Sequence, residues 1–215
     1  MDNNIYKNGW DTINAYIFGI IMSDGCLSRT GRNKTAWTVR IGLNDYEMIE
    51  QLYKYMCVGS KIFQCGKQYT LRYRNKEAIE FLMRYGLEPR KSLTLKFPSL
   101  PREVLPSFIR GYFDGDGSII LQKTIYNTYA QVTFTCGSLE FLTELQKTLL
   151  EVFNIKSQIY DGGHLDSHAM SLRITKRSEI DKFYSVIYKD ADLYLERKYL
   201  KFQELYQYPL KYNVK

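Results

Sequence analysis

The chain has 215 residues, 45% of them hydrophobic, and a formal net charge of +7. That length suits one large domain or two small ones, and the positive charge favours a polyanionic partner. No stretch approaches the roughly 18 consecutive apolar residues of a membrane helix, and Met1-Asp2-Asn3-Asn4 lacks a charged-then-apolar signal pattern, so a soluble, intracellular protein with no membrane partner is expected. The four cysteines, Cys26, Cys57, Cys65 and Cys136, form no CxxC pair. Their spacing fits neither a zinc site nor a dense disulfide framework, and they read as free, partly buried thiols.

The first strong element is the apolar run Tyr16 to Met22, which holds Gly19 and ends in Ser23-Asp24-Gly25. Period-2 alternation over Trp37–Leu43 and Leu71–Arg74 predicts half-buried strands, with the arginines of the second on one face. Helices are predicted from Asp45 to Met56 and from Lys76 to Tyr85, with Asp45 as a helix cap. Gly86 to Pro106 holds four of the five prolines and reads as a linker. The pattern then repeats. Phe108 to Phe113 holds Gly111 and leads to Asp114-Gly115-Asp116-Gly117; a strand follows at Gln131–Thr135; helices follow from Leu139 to Phe153, capped by Ser138, and from Ser178 to Tyr188. Ser60-Lys61-Ile62-Phe63 is echoed by Ser157-Gln158-Ile159-Tyr160, and Leu71-Arg72-Tyr73 by Leu172-Arg173-Ile174.

Each half therefore reads helix, two strands, helix, two strands, helix. The fold class is α/β of the α+β kind: two pseudo-symmetric αββαββα halves, 1–97 and 98–215, each with one solvated, basic sheet face. Gly19 and Ser23 share a helix face, as do Gly111 and Gly115. A glycine inside a helix costs up to about 1 kcal/mol relative to alanine. Close packing of the two helices is the natural compensation, and it would bring their C-terminal ends together. Those ends carry Asp24 and Asp116, each followed by a glycine suited to a helix C-cap. Two carboxylates there oppose the helix dipole and each other, so the pair asks for cations. Magnesium takes such hard oxygen ligands together with phosphate oxygens and water, and could polarise a phosphate and activate water. A lone Asp-Gly is usually a turn; a duplicated structural unit with capped helices is the alternative to catalysis.

The two segments Ile17–Gly25 and Ile109–Gly117 resemble the LAGLIDADG motif of homing endonucleases. The second matches at Gly111, Asp114, Asp116 and Gly117; the first matches at Gly19, Asp24 and Gly25, with Met22 in place of the first aspartate. The resemblance implies a saddle of antiparallel sheets with the motif helices packed at the interface. It implies a metal site at Asp24 and Asp116 with the adjoining Gly25 and Gly117, holding Mg2+, with Mn2+ or Ca2+ as other occupants. Pro89-Arg90-Lys91-Ser92-Leu93 and Glu196-Arg197-Lys198-Tyr199-Leu200 look like the basic segment that follows each half in the family, which makes Lys91 and Lys198 catalytic candidates. Some members place a polar side chain at the end of the second strand of each half, where this chain has Leu43 and Cys136.

The alternation predicts the face turned to DNA. In the first half these residues are Ser28, Thr30, Arg32, Thr38, Arg40, Arg72 and Arg74, joined by Lys61. In the second half they are Gln122, Thr124, Gln131, Thr133, Ser171 and Arg173, joined by Gln158. Arginine suits guanine and glutamine suits adenine, which favours base readout over phosphate contact alone. His164 and His168 flank a glycine-rich turn that reads as a hairpin loop rather than a zinc site. The resemblance implies a monomeric, free-standing endonuclease that cuts duplex DNA at a long asymmetric site. An intron maturase acting on RNA, a non-cleaving DNA-binding regulator and a duplicated interaction scaffold are the competing readings.

Overall fold

The computed structural model describes residues 4–31, 35–56, 61–123, 128–162 and 169–207. Helix α1 (Thr12–Asp24) starts at a reciprocal cap, in which Asp11 accepts the Asn14 N–H at 2.8 Å and Asn14 accepts the Asp11 N–H at 2.9 Å. Strands β1 (Gly25–Thr30) and β2 (Ala36–Leu43), helix α2 (Tyr46–Met56), strands β3 (Phe63–Cys65) and β4 (Gln68–Tyr73) and helix α3 (Lys76–Arg84) complete the first half. The second half repeats the plan with α4 (Leu105–Asp116), β5 (Gly117–Lys123), β6 (Thr128–Cys136), α5 (Leu139–Phe153), β7 (Gln158–Asp161), β8 (Met170–Ile174) and α6 (Arg177–Tyr188). Each half holds a four-stranded antiparallel sheet, ordered β1-β2-β4-β3 and β5-β6-β8-β7. This is an α+β architecture of two like halves.

Two expectations need correction. The second half ends in a further helix, α7 (Glu196–Tyr206), where the sequence suggested only a basic segment. Its buried positions are Lys198, Phe202 and Leu205, so a lysine occupies one place of the apolar stripe and hides it. Cys26 and Cys65 are exposed rather than partly buried, and Cys136 is buried; Cys57 lies outside the described residues. Ser138 caps α5 as expected, accepting the Phe141 N–H at 3.3 Å. Asp45 turns its carboxylate to Arg197, whose Nε donates at 3.1 and 3.2 Å, and so links the two halves.

The crossover between the halves is irregular apart from two 3-10 turns, Lys91–Leu93 and Arg102–Val104. It is packed rather than loose. The Phe97 ring meets Phe108 and Phe141, and the Leu95 carbonyl accepts the Ser138 hydroxyl at 2.6 Å. Among the described residues, no helix is long and apolar enough to cross a membrane.

The core is centred on α1 and α4. Every residue from Asn14 to Met22 is buried, as is nearly all of α4, because each helix has the other on one side and its own sheet on another. The helices meet at their glycines. A Cβ on Gly111 would stand 3.1 Å from the Gly19 Cα and within forbidden range of the Tyr16 carbonyl. A Cβ on Gly19 would stand 2.6 Å from the Tyr112 nitrogen and closer still to the Phe108 carbonyl oxygen. These are backbone atoms, which cannot swing aside. Replacement of either glycine by alanine is therefore expected to cost about 3 kcal/mol or more through overpacking. Chemical denaturation of Gly111→Ala against wild type checks this; a loss below about 1 kcal/mol, with the helix spacing unchanged, would contradict it.

Candidate active site and nucleic-acid interface

The glycine contact sets the positions of the two helix ends. Four residues on from Gly19 and Gly111, Ser23 packs against Gly115, and the Asp24 Oδ2 lies 2.7 Å from where a Gly115 Cβ would be. Asp24 and Asp116 are the last residues of their helices, and β1 and β5 begin at the next residue. The two carboxylates are close enough to act on one another. Asp24 is pushed up to about 6, first by burial and then by Asp116, with Lys198, Lys91 and Arg197 opposing. Asp116 is also raised by burial, offset by Lys91 and Lys198. Asp116 keeps contact with solvent although protein atoms crowd around it.

The following glycines do not act as left-handed caps. Gly25 has φ −84° and Gly117 has φ −80°, values open to any residue. What they provide is room: a Cβ on Gly25 would lie 2.8 Å from the Ile21 Cα, and one on Gly117 would lie 2.6 Å from the Phe113 carbonyl oxygen. Their own carbonyl oxygens are engaged by lysines. Lys91 donates to the Gly25 carbonyl at 2.5 Å and to that of Ser23 at 3.4 Å. Lys198 donates to the carbonyls of Phe113, Asp114, Gly115 and Gly117 at 2.6, 2.8, 3.2 and 2.5 Å. Both lysines are buried, at 8% and 4% exposure, and burial lowers both, Lys198 to about 8. Each ammonium thus closes the carbonyl end of a motif helix, where a cation is favoured. Among the described residues, neither forms an ion pair within hydrogen-bonding range of Asp24 or Asp116; both act on the carboxylates through space.

The halves differ at the first acidic position of the motif. Asp114 is wholly buried and accepts the Tyr16 hydroxyl and the Leu195 N–H at 2.8 Å each, and the Tyr188 hydroxyl at 3.2 Å. Burial holds it near 6 in spite of these donors. It ties α4 to α1 and to the segment that delivers Lys198. Its counterpart Met22 is buried apolar packing. Arg110 braces the same segment, donating to the carbonyls of Leu193 and Ile187 at 2.9 and 2.7 Å. Sequence reasoning missed Tyr16, Tyr188 and Arg110; a buried polar side chain on an apolar helix has no periodic signature.

Beside Asp116 lies a cavity of about 220 Å3, lined among others by Ser23, Lys91, Tyr112 and Cys136. Leu43, the matching position in the first half, is buried apolar. No group of three acidic, histidine or cysteine residues able to hold a metal occurs among the described residues. The two carboxylates fit a hard divalent cation whose remaining oxygens come from elsewhere, such as phosphate and water.

Both sheets turn their apolar face to the helices and a polar face outward. Cross-strand pairs put Ser28 beside Thr38, Arg40 beside Arg72, and Thr133 beside Ser118 and Arg173, all on the outward faces. Ser28, Arg40, Lys61, Arg72, Arg74, Gln122 and Gln158 are exposed, while Thr30, Gln131 and Arg173 are half-buried. Thr38, Thr133 and Ser171 are buried beneath their neighbours. Thr38 shares a hydroxyl bond of 2.7 Å with Thr30, Thr133 accepts from Gln131 at 2.9 Å, and Ser171 accepts from Arg173 at 3.0 Å. Thr133 and Ser171 brace longer side chains and Thr38 pairs with Thr30, rather than reach outward. Arg32, Thr124, His164 and His168 lie outside the described residues. Arg40 and Arg72 stand directly opposite one another, a like-charge pairing that is unfavourable in a sheet by itself. The sequence reading overlooked the aromatic side chains on these faces, Phe63 and Tyr160, although both fall in the duplicated segments.

These features define a class: a duplicated α+β protein with two polar sheet faces and a carboxylate pair at the helix junction. Residues 103–188 match the family model of the LAGLIDADG-like domain. The chain is 28% identical over 208 residues to a probable translation initiation factor IF-2 of Thermococcus kodakarensis, covering 91% of this chain and 16% of that protein. A probable IF-2 of Methanocaldococcus jannaschii is 29% identical over 159 residues, 72% of this chain and 13% of that protein. The chain thus spans under a fifth of these relatives. The intron-encoded DNA endonuclease ai2b of Dictyostelium discoideum is 23% identical over 189 residues, covering 78% of this chain and 71% of that one. Among solved structures, the LAGLIDADG homing endonuclease I-GzeII in complex with its DNA target superposes with TM-score 0.61 at 13% identity, covering 90% and 88% of the two chains. Variants of the homing endonuclease I-DmoI give TM-score 0.61 at 19% identity, covering 93% and 99%. Full-length DUF199/WhiA from Thermatoga maritima gives 0.55 at 18%, covering 95% and 70%. The chain carries the fold of the LAGLIDADG homing endonucleases.

The raised carboxyl of Asp24 has a consequence for stability. Its folded value of about 6 exceeds the ordinary 3.8, so between these values the folded state holds more protons than the unfolded chain. Without metal, stability is greatest below about pH 4 and falls as pH rises to about 6. Asp24→Asn should lessen this fall, with Asp114 and Asp116 keeping their own shares of it, and stabilise the metal-free protein at pH 7 by about 1 kcal/mol, a figure reduced for partial solvent contact. Denaturant titration in chelator at pH 4.5 and 7 reads it; an unchanged pH slope in the variant would contradict the assignment.

Proposed function

We propose that this protein is a site-specific, metal-dependent DNA endonuclease that makes a double-strand break in a long asymmetric duplex target. The supporting observation is the juxtaposition of two carboxylates with raised proton affinity at the ends of the duplicated helices. Among the described residues no third acid completes a metal-binding group with them, which leaves ligand positions that a phosphodiester and water can fill. Asp24 and Asp116 would hold Mg2+, with Mn2+ or Ca2+ able to take its place. Bound there, the cation would supply Lewis-acid polarisation of a phosphate and a more acidic water.

The protein's own groups have separable tasks in this reading. Asp24 and Asp116 provide negative charge between the two strand breaks. Lys91 and Lys198 hold the helix ends in place and moderate the repulsion between the carboxylates. Gly25 and Gly117 keep the start of each sheet clear of its helix. The outward faces of the halves, 1–97 and 98–215, read one half-site each through Ser28, Thr30, Arg40, Lys61, Arg72, Arg74, Gln122, Gln131, Gln158 and Arg173. Because both halves sit in one chain and differ in sequence, a monomer suffices and the target need not be a palindrome. Placement of the carboxylates between two like halves suits cuts on both strands.

The direct test is cleavage of a randomised duplex library with magnesium by wild type, Asp24→Asn and Asp116→Asn. Wild type should select and cut a discrete long site. Each variant should lose double-strand cutting by about 10³-fold or more while keeping DNA affinity, because several kcal/mol of charge stabilisation go with a metal ligand. Retained double-strand cutting by both variants would overturn the mechanism. Occurrence of the same fold in a DUF199/WhiA protein favours a second reading, a nucleic-acid-binding protein without cleavage that acts on DNA or, as a maturase, on intron RNA. Tight, salt-sensitive binding without cutting by wild type would select it.

A further inference from the structure

The two sheets carry one feature twice, in the same register, with different residues. Gly25, Ile41 and Leu71 form a row across the first sheet, as Gly117, Phe134 and Leu172 do across the second. The next row is Cys26–Arg40–Arg72 in one and Ser118–Thr133–Arg173 in the other. Arg72 and Arg173 therefore stand at equal rank from Asp24 and Asp116. Each guanidinium lies over an aromatic ring on the edge strand: Arg72 over Phe63 at 4.8 Å, and Arg173 over Tyr160 at 4.6 Å from the ring centre. Phe63 pairs with Thr70 and Tyr160 with Ser171, the residues two before each arginine, so one register produces both stacks.

The rings are otherwise hard to account for. Phe63 is 45% exposed and Tyr160 is 38% exposed on faces that are otherwise mainly polar. A stacked guanidinium is restrained in its plane, so it presents a fixed edge of donors. In the second half, Arg173 Nε also donates to the Ser171 hydroxyl at 3.0 Å, and the Tyr160 hydroxyl donates to Gln158 at 2.5 Å. A fixed planar fork suits guanine, whose O6 and N7 accept two parallel bonds in the major groove. A planar fork can also grip a phosphate with two bonds, so the base profile of cutting has to separate the two. The neighbours in the same row diverge, Arg40 in one half and Thr133 in the other, so the stack is what the halves share.

We propose that Arg72 with Phe63, and Arg173 with Tyr160, are paired guanine-reading units that place one guanine in each half-site at equal distances from the centre of the cut. This rests on the DNA-cleaving reading above and names part of its specificity. Phe63 and Tyr160 are positioning residues that act through the arginines.

The experiment is deep sequencing of library duplexes cut by wild type and by Arg72→Lys, Phe63→Leu, Arg173→Lys and Tyr160→Leu. Wild type should require guanine at two positions symmetric about the cut. Arg72→Lys keeps the charge but lacks the fork, and should lose about tenfold or more of the preference at one position only. Phe63→Leu should relax that same position, less strongly, while Arg173→Lys and Tyr160→Leu act at the other. A uniform loss of affinity with an unchanged base profile would make these phosphate contacts and overturn the proposal. Should a variant fail to fold, 7-deazaguanine at each position, tested with wild type, gives the same reading: loss of cutting supports the proposal and undiminished cutting overturns it. Wild type without any selective cutting would remove the function reading as well, whereas selective cutting without symmetric guanines would remove only this inference.

Discussion

The contact between Gly19 and Gly111 is the constraint on which the rest of the molecule depends. With no side chain on either residue, the two helix backbones approach to a separation that a methyl group would prevent. That closeness fixes where α1 and α4 end, and their ends carry the two carboxylates. It also makes the interface between the halves part of the core rather than a surface seam, so the site has walls that do not move independently. The aromatic and aliphatic residues around both helices then seal the junction from water.

Closeness has an electrostatic cost, and the chain offsets it with two buried lysines. A carboxylate at the carbonyl end of a helix opposes the dipole, and a second one nearby adds repulsion. Lys91 and Lys198 satisfy the helix-end carbonyls and place positive charge behind the acids without bonding to them. Burial still leaves both carboxylates with raised proton affinity, and Asp116 adds to the effect on Asp24. A site in that condition gains from any hard cation it can capture. The delivery of the lysines differs between halves: Lys198 comes from α7, whose approach is anchored by Asp114 and Arg110, while Lys91 comes from a 3-10 turn entered through Arg90 with φ at 59°.

The sequence made the motif helices legible because glycine and aspartate there break ordinary helix preferences twice in the same way. It made the sheet faces legible because alternation survives divergence, as the pairing of Arg40 with Arg72 and of Thr133 with Arg173 bears out. It hid what depends on through-space partners. Asp114, Tyr16 and Tyr188 meet across 74 and 98 residues, a spacing that no local pattern encodes. Helix α7 was hidden because its stripe includes Lys198, and a lysine reads as surface. Gly25 and Gly117 looked like left-handed caps because Asp-Gly commonly is one; here the need is for space, not handedness. The rings of Phe63 and Tyr160 lay in segments recognised as repeats, yet β3 and β7 are too short for periodicity to say which way they point.

The central claim is that the two junction carboxylates together form a divalent-cation site completed by DNA. Its most direct measurement is manganese titration into the protein–duplex complex, following loss of the free-ion signal by electron paramagnetic resonance, for wild type and for each aspartate-to-asparagine variant. The account predicts binding in wild type that weakens as pH falls through about 6, the value to which Asp24 is raised, and that is lost in both variants. Equal manganese binding by wild type and both variants would contradict it.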